Sequence, residues 1–352
     1  MFAPPAGRYR PIAMSLRFKT NLLEHTKAVG AWAMAHGVEA HVRASDVALI
    51  VRRGDEALLL LPQFVGKRDG EQLMYFDAPD AHAHGFVGWL PYAPLAWDIS
   101  ISKLVFKAVA RELGLRVPAW WDEARDADAP YLIKRARGAF GDGMRGPFLP
   151  GRSIDVADAS ALAEGEFCEA FKPGRIARAW YWSGTLAVLE VLPMPQVTGD
   201  GATPLSTLLQ CASPEPLPGF EPFEALAAMQ GFGAASVPAR GQRVTADYRY
   251  VSPLNPTLYA NHNCLRDEAD TALVHAFAEA GRRLWPRIPG AVGPAGKQAA
   301  FVLDAIVGDD DGLPWFLEIN SNAQGHPDLY APMLDALCAP WFGQRHATRK
   351  VA

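Results

Sequence analysis

The sequence predicts an α+β chain with antiparallel strand pairs and helices laid on one face. Three observations carry this. The apolar runs 301–307 (FVLDAIV) and 314–320 (PWFLEIN) flank Asp309, Asp310, Asp311 and Gly312, turn formers that mark a hairpin. A second pair of apolar runs, 177–183 and 185–192, is parted only by Gly184. Two stretches carry a helical period: 102–114, with Val105, Val109 and Leu113 at i, i+4 and i+8, and 267–284, with Leu273, Phe277, Ala280 and Leu284 on one face.

In chain order, the first dozen residues are rich in Pro and Gly and read as a loose arm. Residues 20–36 read as a helix that includes Leu22, Leu23, Val29 and Trp32, followed by short strands at 46–51 and 57–61. Residues 1–100 thus form a small N-terminal lobe without a motif. The 102–114 helix has Ser102 as N-cap and Gly114 as its stop, with Pro118 just beyond. A strand at 131–136, a glycine-rich loop at 138–146 and a strand near 166–171 follow, giving a central lobe at 101–176. Residues 177–352 are expected to form a C-terminal lobe. Within it, 213–219 (SPEPLPG) and 286–296 (PRIPGAVGPAG) read as surface loops.

At 352 residues the chain is too long for one small core and suits two or three lobes. A formal net charge of -4 marks neither a nucleic-acid nor an anionic-membrane partner. No apolar run approaches the ~18 residues that span a bilayer, and the N-terminus lacks a continuous apolar h-region. The four cysteines include no C-x-x-C pair, so they read as buried thiols of a cytoplasmic protein.

The chemistry concentrates in the 301–320 hairpin. With the turn centred on Asp311, Asp304 faces Glu318, and opposed residues have Cβ atoms roughly 5 Å apart. Asn320 lies two residues on, on the same face. Isolated strand carboxylates often face solvent. These are embedded in Val, Leu, Phe and Ile, where an acid needs a partner. Three converging oxygen ligands, two of them charged, suit magnesium. The turn aspartates read as solvated.

A second feature is Lys134, which ends an apolar strand just before Gly138, Gly141 and Gly143. Glycines let successive N–H groups converge on an anion, and the lysine adds a charge for phosphate oxygens. A plain glycine-rich hairpin turn would look the same. No G-x-x-x-x-G-K-[ST] loop is present, and Gly293–Gln298 lacks its Ser/Thr. A third feature is Lys103, a cation opposing the dipole at a helix N-terminus. A bound phosphate would account for it, and so would simple solvent exposure.

The order of these pieces resembles the ATP-grasp fold: Lys103 and Lys107 at a helix start, Lys134 with its glycine loop, Glu169 after a short strand, then the Asp304…Glu318-Ile319-Asn320 hairpin. D-alanine–D-alanine ligases and glutathione synthetases share that fold, and the local likeness is greatest to the ATP-grasp part of cyanophycin synthetase. Its K-P-x-x-G-x-x-G-x-G loop is matched by Lys134, Gly138, Gly141 and Gly143, and its E-x-x-x-x-G-x-x-x-R stretch by Glu169, Gly174 and Arg178. Its P-x-x-V-x-G-D-G segment is matched by Pro193 or Pro195, then Val197, Gly199, Asp200 and Gly201. The resemblance covers roughly residues 100–330, and an ordered set is more specific than any one motif.

The resemblance implies an α+β ATP-grasp fold with a nucleotide cleft between two lobes. It implies that Lys103 and Lys134 hold ATP phosphates and that the 138–143 loop closes over them, with Phe140 packing on closure. Glu169, Phe171 and Lys172 would line the adenine pocket. Asp304, Glu318 and Asn320 would bind Mg2+, and Arg178 would stand near the γ-phosphate or an acyl phosphate. Departures are Arg135 for the usual proline, Ile176 where many members carry a ribose-binding carboxylate, and Val302 where D-alanine ligases carry an arginine; Arg178 or Lys297 could substitute there. The implied activity is an ATP-dependent ligase that joins a carboxylate to an amine on an amino acid or short peptide. The alternative is a small-molecule kinase on the same site. Nothing in the sequence opposes a homodimer.

Other residues stay open. His82-Ala83-His84 beside Asp77 and Asp80 reads as a solvated loop rather than a metal site. Trp120-Trp121 reads as a packing corner. His326, Ser321 and Asn322 suit substrate contact or helix capping equally.

Overall fold

The computed structural model describes residues 16–68, 72–80, 83–138, 143–150, 162–214, 216–217, 219–249, 252, 254, 263–266, 271–293, 296–322 and 325–343. Among them every strand ladder is antiparallel, and the fold class is α+β. No described helix is long and apolar enough to cross a membrane.

The chain divides into two compact units, one of residues 1–94 with 324–352 and one of residues 95–323. In the first, α1 (Leu16–His36) is followed by β1 (Glu39–Val42), β2 (Leu49–Arg53), β3 (Glu56–Arg68), β4 (Gln72–Phe76) and β5 (Ala83–Leu90). These five strands form one sheet, with β4 and β5 both on β3. The helix buries Val29, Trp32 and Ala33, and the sheet buries Leu49, Val51, Leu60, Phe64, Phe86 and Trp89.

In the second unit, α2 (Asp98–Ile101) leads into α3 (Lys103–Glu112). Ser102 caps α3 as expected, accepting from the Val105 N–H, and Gly114 ends it at a φ of +71°. The strands β6 (Trp120–Trp121), β7 (Tyr131–Arg135), β8 (Arg145–Phe148) and β9 (Glu166–Ala170) form a sheet in the order β6-β9-β7-β8. Then β10 (Gly174–Trp182) and β11 (Thr185–Pro193) make a hairpin whose turn, Ser183-Gly184, takes positive φ at both positions. That backbone suits the twist of the flanking strands.

A segment of which the sequence disclosed little comes next. The strands β12 (Gln196–Thr198) and β13 (Arg243–Thr245) pair, and α4 (Leu205–Ala212) and α5 (Glu221–Met229) lie between them in sequence. They share a small core of Val197, Leu205, Leu209, Phe223, Ala227, Val244 and Ala246. The described part of the next helix, α6, spans Thr271–Leu284, short of the expected start at 267, and 267–270 lie outside the described residues. A small hairpin of β14 (Ala291–Gly293) and β15 (Gly296–Gln298) precedes β16 (Ala300–Gly308) and β17 (Pro314–Asn320).

The main sheet of this unit runs β11-β10-β16-β17. One of its faces meets the apolar stripes of α3 and α6, burying Ala177, Ala179, Tyr181, Leu189, Leu303, Ala305 and Ile319 against Phe106, Phe277 and Leu284. The other face carries the charged residues described next. The last helix, α7 (Tyr330–Gly343), groups with the first unit.

Candidate functional site

A single row of charge crosses the main sheet. On β10, Arg178 stands opposite Glu190 of β11 on one side and Asp304 of β16 on the other. Asp304 in turn stands opposite Glu318 of β17. The Arg178 Nε donates to Asp304 Oδ1 at 2.8 Å, and the Asn320 amide donates to Asp304 Oδ2 at 2.9 Å. The expected facing of Asp304 and Glu318 is therefore present, with Asn320 on the same face.

The route to that register is not the expected one. Near the turn Ile306 faces Trp315 and Ala305 faces Phe316, one residue out of the anticipated alignment. Leu317 is then an extra residue on β17, a β-bulge, and beyond it Asp304 meets Glu318. Without the bulge Glu318 would face Leu303 and turn toward the apolar core, because side chains alternate along a strand.

At the start of α3, Lys103 Nζ lies 2.9 Å from Glu318 Oε2 and donates to the Gly138 carbonyl at 2.8 Å. The cation at a helix N-terminus thus ties the mouth of the glycine loop to the carboxylate pair. Burial pushes both carboxyls up. At Asp304 it prevails over Arg178, with Glu318 adding to the rise, whereas at Glu318 Lys103 reverses it and holds the carboxyl below its ordinary value.

Behind Lys103 lies a second cluster. Glu169 on β9 is buried, with Oε1 2.5 Å from Lys134 Nζ and Oε2 2.6 Å from Lys107 Nζ. Burial alone would raise the Glu169 carboxyl, yet Lys107 and Lys134 outweigh it and bring it down to about 2. Burial lowers the Lys107 ammonium even against Glu169. Lys134 also contributes to holding Glu318 low, so the strand lysine and the hairpin carboxylates share one neighbourhood.

The other anticipated residues fall into place as follows. Gly138 and Gly143 adopt φ of +144° and +71°, the left-handed side that favours glycine. Gly141 and Phe140 lie outside the described residues, as does His82. Phe171 is buried edge-on to Tyr248, and Lys172 Nζ sits 4.2 Å from the centre of the Trp315 ring, a cation–π contact. Lys297 donates to the carbonyls of Trp285 and Ile288, so it clamps a loop and is not available as a stand-in arginine. Ser321 and Asn322 both donate to the Leu95 carbonyl, and His326 caps the turn of Pro327–Leu329 by accepting from the Asp328 N–H. His326 thus makes the anticipated cap, and Ser321 and Asn322 hold the Leu95 carbonyl. Trp120 and Trp121 form β6 against β9, with Arg111 over the Trp120 ring, a packing corner as expected.

Two functional candidates escaped notice from sequence. Glu190 is 1% exposed on an apolar strand. Its signal, an acid inside LAVLEVL, is the one that singled out Asp304. Lys107 was visible only as the second member of Lys-x-x-x-Lys, and its burial was not.

The oxygen set of Asp304, Glu318 and Asn320 fits magnesium, which takes one or two carboxylates and leaves the rest of its shell to water and phosphate. Among the described residues no group of three His, Cys, Asp or Glu side chains converges, as a structural zinc site would need.

No family model matches the chain, and no curated protein matches it. Solved structures do. A bifunctional glutathione synthetase from Pasteurella multocida is 15% identical over 90% of this chain and 43% of its own, with a TM-score of 0.42. A D-alanine–D-alanine ligase from Bacillus anthracis is 14% identical over 70% of this chain and 68% of its own, at 0.33. The ATP-grasp ligase PsnB is 13% identical over 68% and 57%, at 0.35. The chain spans less than half the length of the first of these. Each likeness is remote, and the assignment of chemistry rests on the residues above. In fold, the chain is similar to ATP-grasp ligases of known structure.

Proposed function

We propose that this protein is an ATP-dependent carboxylate–amine ligase, acting on an amino acid or short peptide. The observation that supports it most is the convergence of Lys103 on Glu318 and of Arg178 and Asn320 on Asp304. Cations and carboxylates interleave there in the way a magnesium–triphosphate complex would demand. Asp304, Glu318 and Asn320 would hold Mg2+, which when bound offsets phosphate charge.

The protein's own residues do the remaining work. Lys103 and Lys134 neutralise phosphate oxygens, and the backbone around Gly138 and Gly143 admits the triphosphate closely. Phe171 and Lys172 edge the base, and Glu169 fixes Lys134 from beneath. A substrate carboxylate oxygen attacks the γ-phosphorus, the bond to the β,γ-bridging oxygen breaks, and ADP leaves. Arg178 is placed to stabilise charge on the transferred phosphoryl group. An amine then attacks the acyl carbon, phosphate departs, and the amine proton passes to solvent or phosphate.

The test is ADP release from ATP with pairs of amino acids and short peptides, with and without the amine partner. ADP formed in step with an amide confirms the ligase. A stable phosphorylated product formed without any amine replaces it with the kinase reading. The absence of ATP binding refutes both.

A further inference from the structure

Glu169 holds two lysines, and they are not equivalent. Lys134, on β7, keeps some exposure, 11% of its side chain. Lys107, on α3 one turn beyond Lys103, has none. The two reach different oxygens of the carboxylate, from different elements, at 2.5 and 2.6 Å. The triad therefore carries one net positive charge in a buried place, and only Lys134 has anywhere else to turn.

A lone Lys134–Glu169 pair could not open cheaply. Moving the lysine onto a phosphate would leave a buried carboxylate without its cation, the costly way to break a buried pair. With Lys107 permanently on the second oxygen, Glu169 stays neutralised whichever way Lys134 points. The excess positive charge is then matched when an anion arrives.

We propose that Lys107 is a positioning residue for nucleotide binding: it keeps Glu169 neutralised so that Lys134 can pass from Glu169 to a nucleotide phosphate. This rests on the ATP-site reading above. The bland alternative is that Lys107 merely fastens α3 to the β6–β9 sheet through a buried ion pair.

The two differ in a measurable way. Binding of ADP and of the non-hydrolysable analogue AMP-PNP, at millimolar magnesium, is measured by calorimetry on full-length variants whose folding is checked by circular dichroism. Lys107→Met leaves Lys134 as the sole ion-pair partner of Glu169 among the described residues and should weaken AMP-PNP binding by about tenfold or more. Adding Glu169→Gln to that variant removes what holds Lys134 and should restore most of the affinity. A folded Lys107→Met protein with unchanged affinity overturns the proposal, and so does a double variant no better than the single. If Lys107→Met does not fold, Glu169→Gln is compared with the double variant. The proposal requires equal affinities, and a further loss on removing Lys107 overturns it by making Lys107 a direct phosphate ligand. A wild-type protein that binds neither nucleotide sinks the ATP-site reading and this proposal with it, whereas wild-type binding with an indifferent Lys107 sinks the proposal alone.

Discussion

Glu318 is where the local physics is most exposed to test. It stands opposite Asp304, and its charge is held by Lys103 at 2.9 Å. Two carboxylates side by side repel each other, and burial worsens this. Lys103 holds Glu318 low against this, whereas at Asp304 burial and Glu318 outweigh Arg178 and raise the carboxyl. Glu318→Gln removes one metal-facing charge while keeping the shape and an acceptor oxygen for Lys103. The expected outcome is a folded protein whose turnover falls roughly 100-fold or more. Circular dichroism with ADP release at ordinary magnesium concentrations checks it, and retained turnover would contradict the assignment of Glu318 as a ligand.

At the scale of the element, the meeting of β10 with β16 decides whether Arg178 reaches Asp304. The first residue of β10, Gly174, pairs with Gly308 at a φ of +153°, and a Cβ there would clash with the Val307 carbonyl oxygen and the Ile306 side chain. Gly174→Ala combines a strained backbone with overpacking against a neighbouring strand. It should destabilise the second unit by roughly 3 kcal/mol, read as a lower urea midpoint at unchanged slope. An unaltered midpoint would mean that the strand end shifts freely. The bulge at Leu317 belongs to the same scale. It is a one-residue irregularity that sends Glu318 to the charged face, and bulges beside functional sites commonly re-aim a side chain in this way.

For the whole molecule, stability toward acid has a source in the first unit. In the first unit His25 is fully buried, with Nδ1 2.7 Å from the Tyr330 hydroxyl, which also accepts from the Trp89 N–H at 2.9 Å. Burial, with His326 adding to it, lowers His25 to about 3. A histidine depressed in the fold stays neutral there, while in the unfolded chain it takes a proton below about 6.5. Its contribution is thus intact above that pH and is lost progressively as pH falls toward 3. Each unit of that interval is worth at most about 1.4 kcal/mol. Glu169, held down by its lysines, adds acid sensitivity only below its ordinary value of 4.5. Between pH 6.5 and 5 the His25 slope therefore stands apart from it. His25→Gln should flatten the decline of the unfolding free energy from urea titrations between pH 7 and pH 5 by about 1–2 kcal/mol, whatever it does to absolute stability. An identical slope in both proteins would assign the acid sensitivity elsewhere.

Sequence alone determined the periodic elements and which of their charged residues face one another. The α3 helix with its Ser102 cap, the paired strands β10–β11 and β16–β17, and the facing of Asp304 with Glu318 were legible. Alternation, capping and turn formers are local signals, and an acid inside an apolar strand betrays a partner. Glu190 was open to the same argument. Tertiary structure decided what joins residues far apart in the chain. Lys107 and Glu169 are 62 positions apart, and no spacing rule discloses that a helix delivers one buried lysine to a carboxylate already holding another. Nor could the pattern reveal that the turn and the bulge each shift the register by one residue and cancel, because a bulge is set by what the strand packs against. The last helix, α7, groups with the first unit for a similar reason. Its Tyr330, Met333, Leu334 and Cys338 are buried, and an apolar stripe states that it must be covered without naming the surface that covers it.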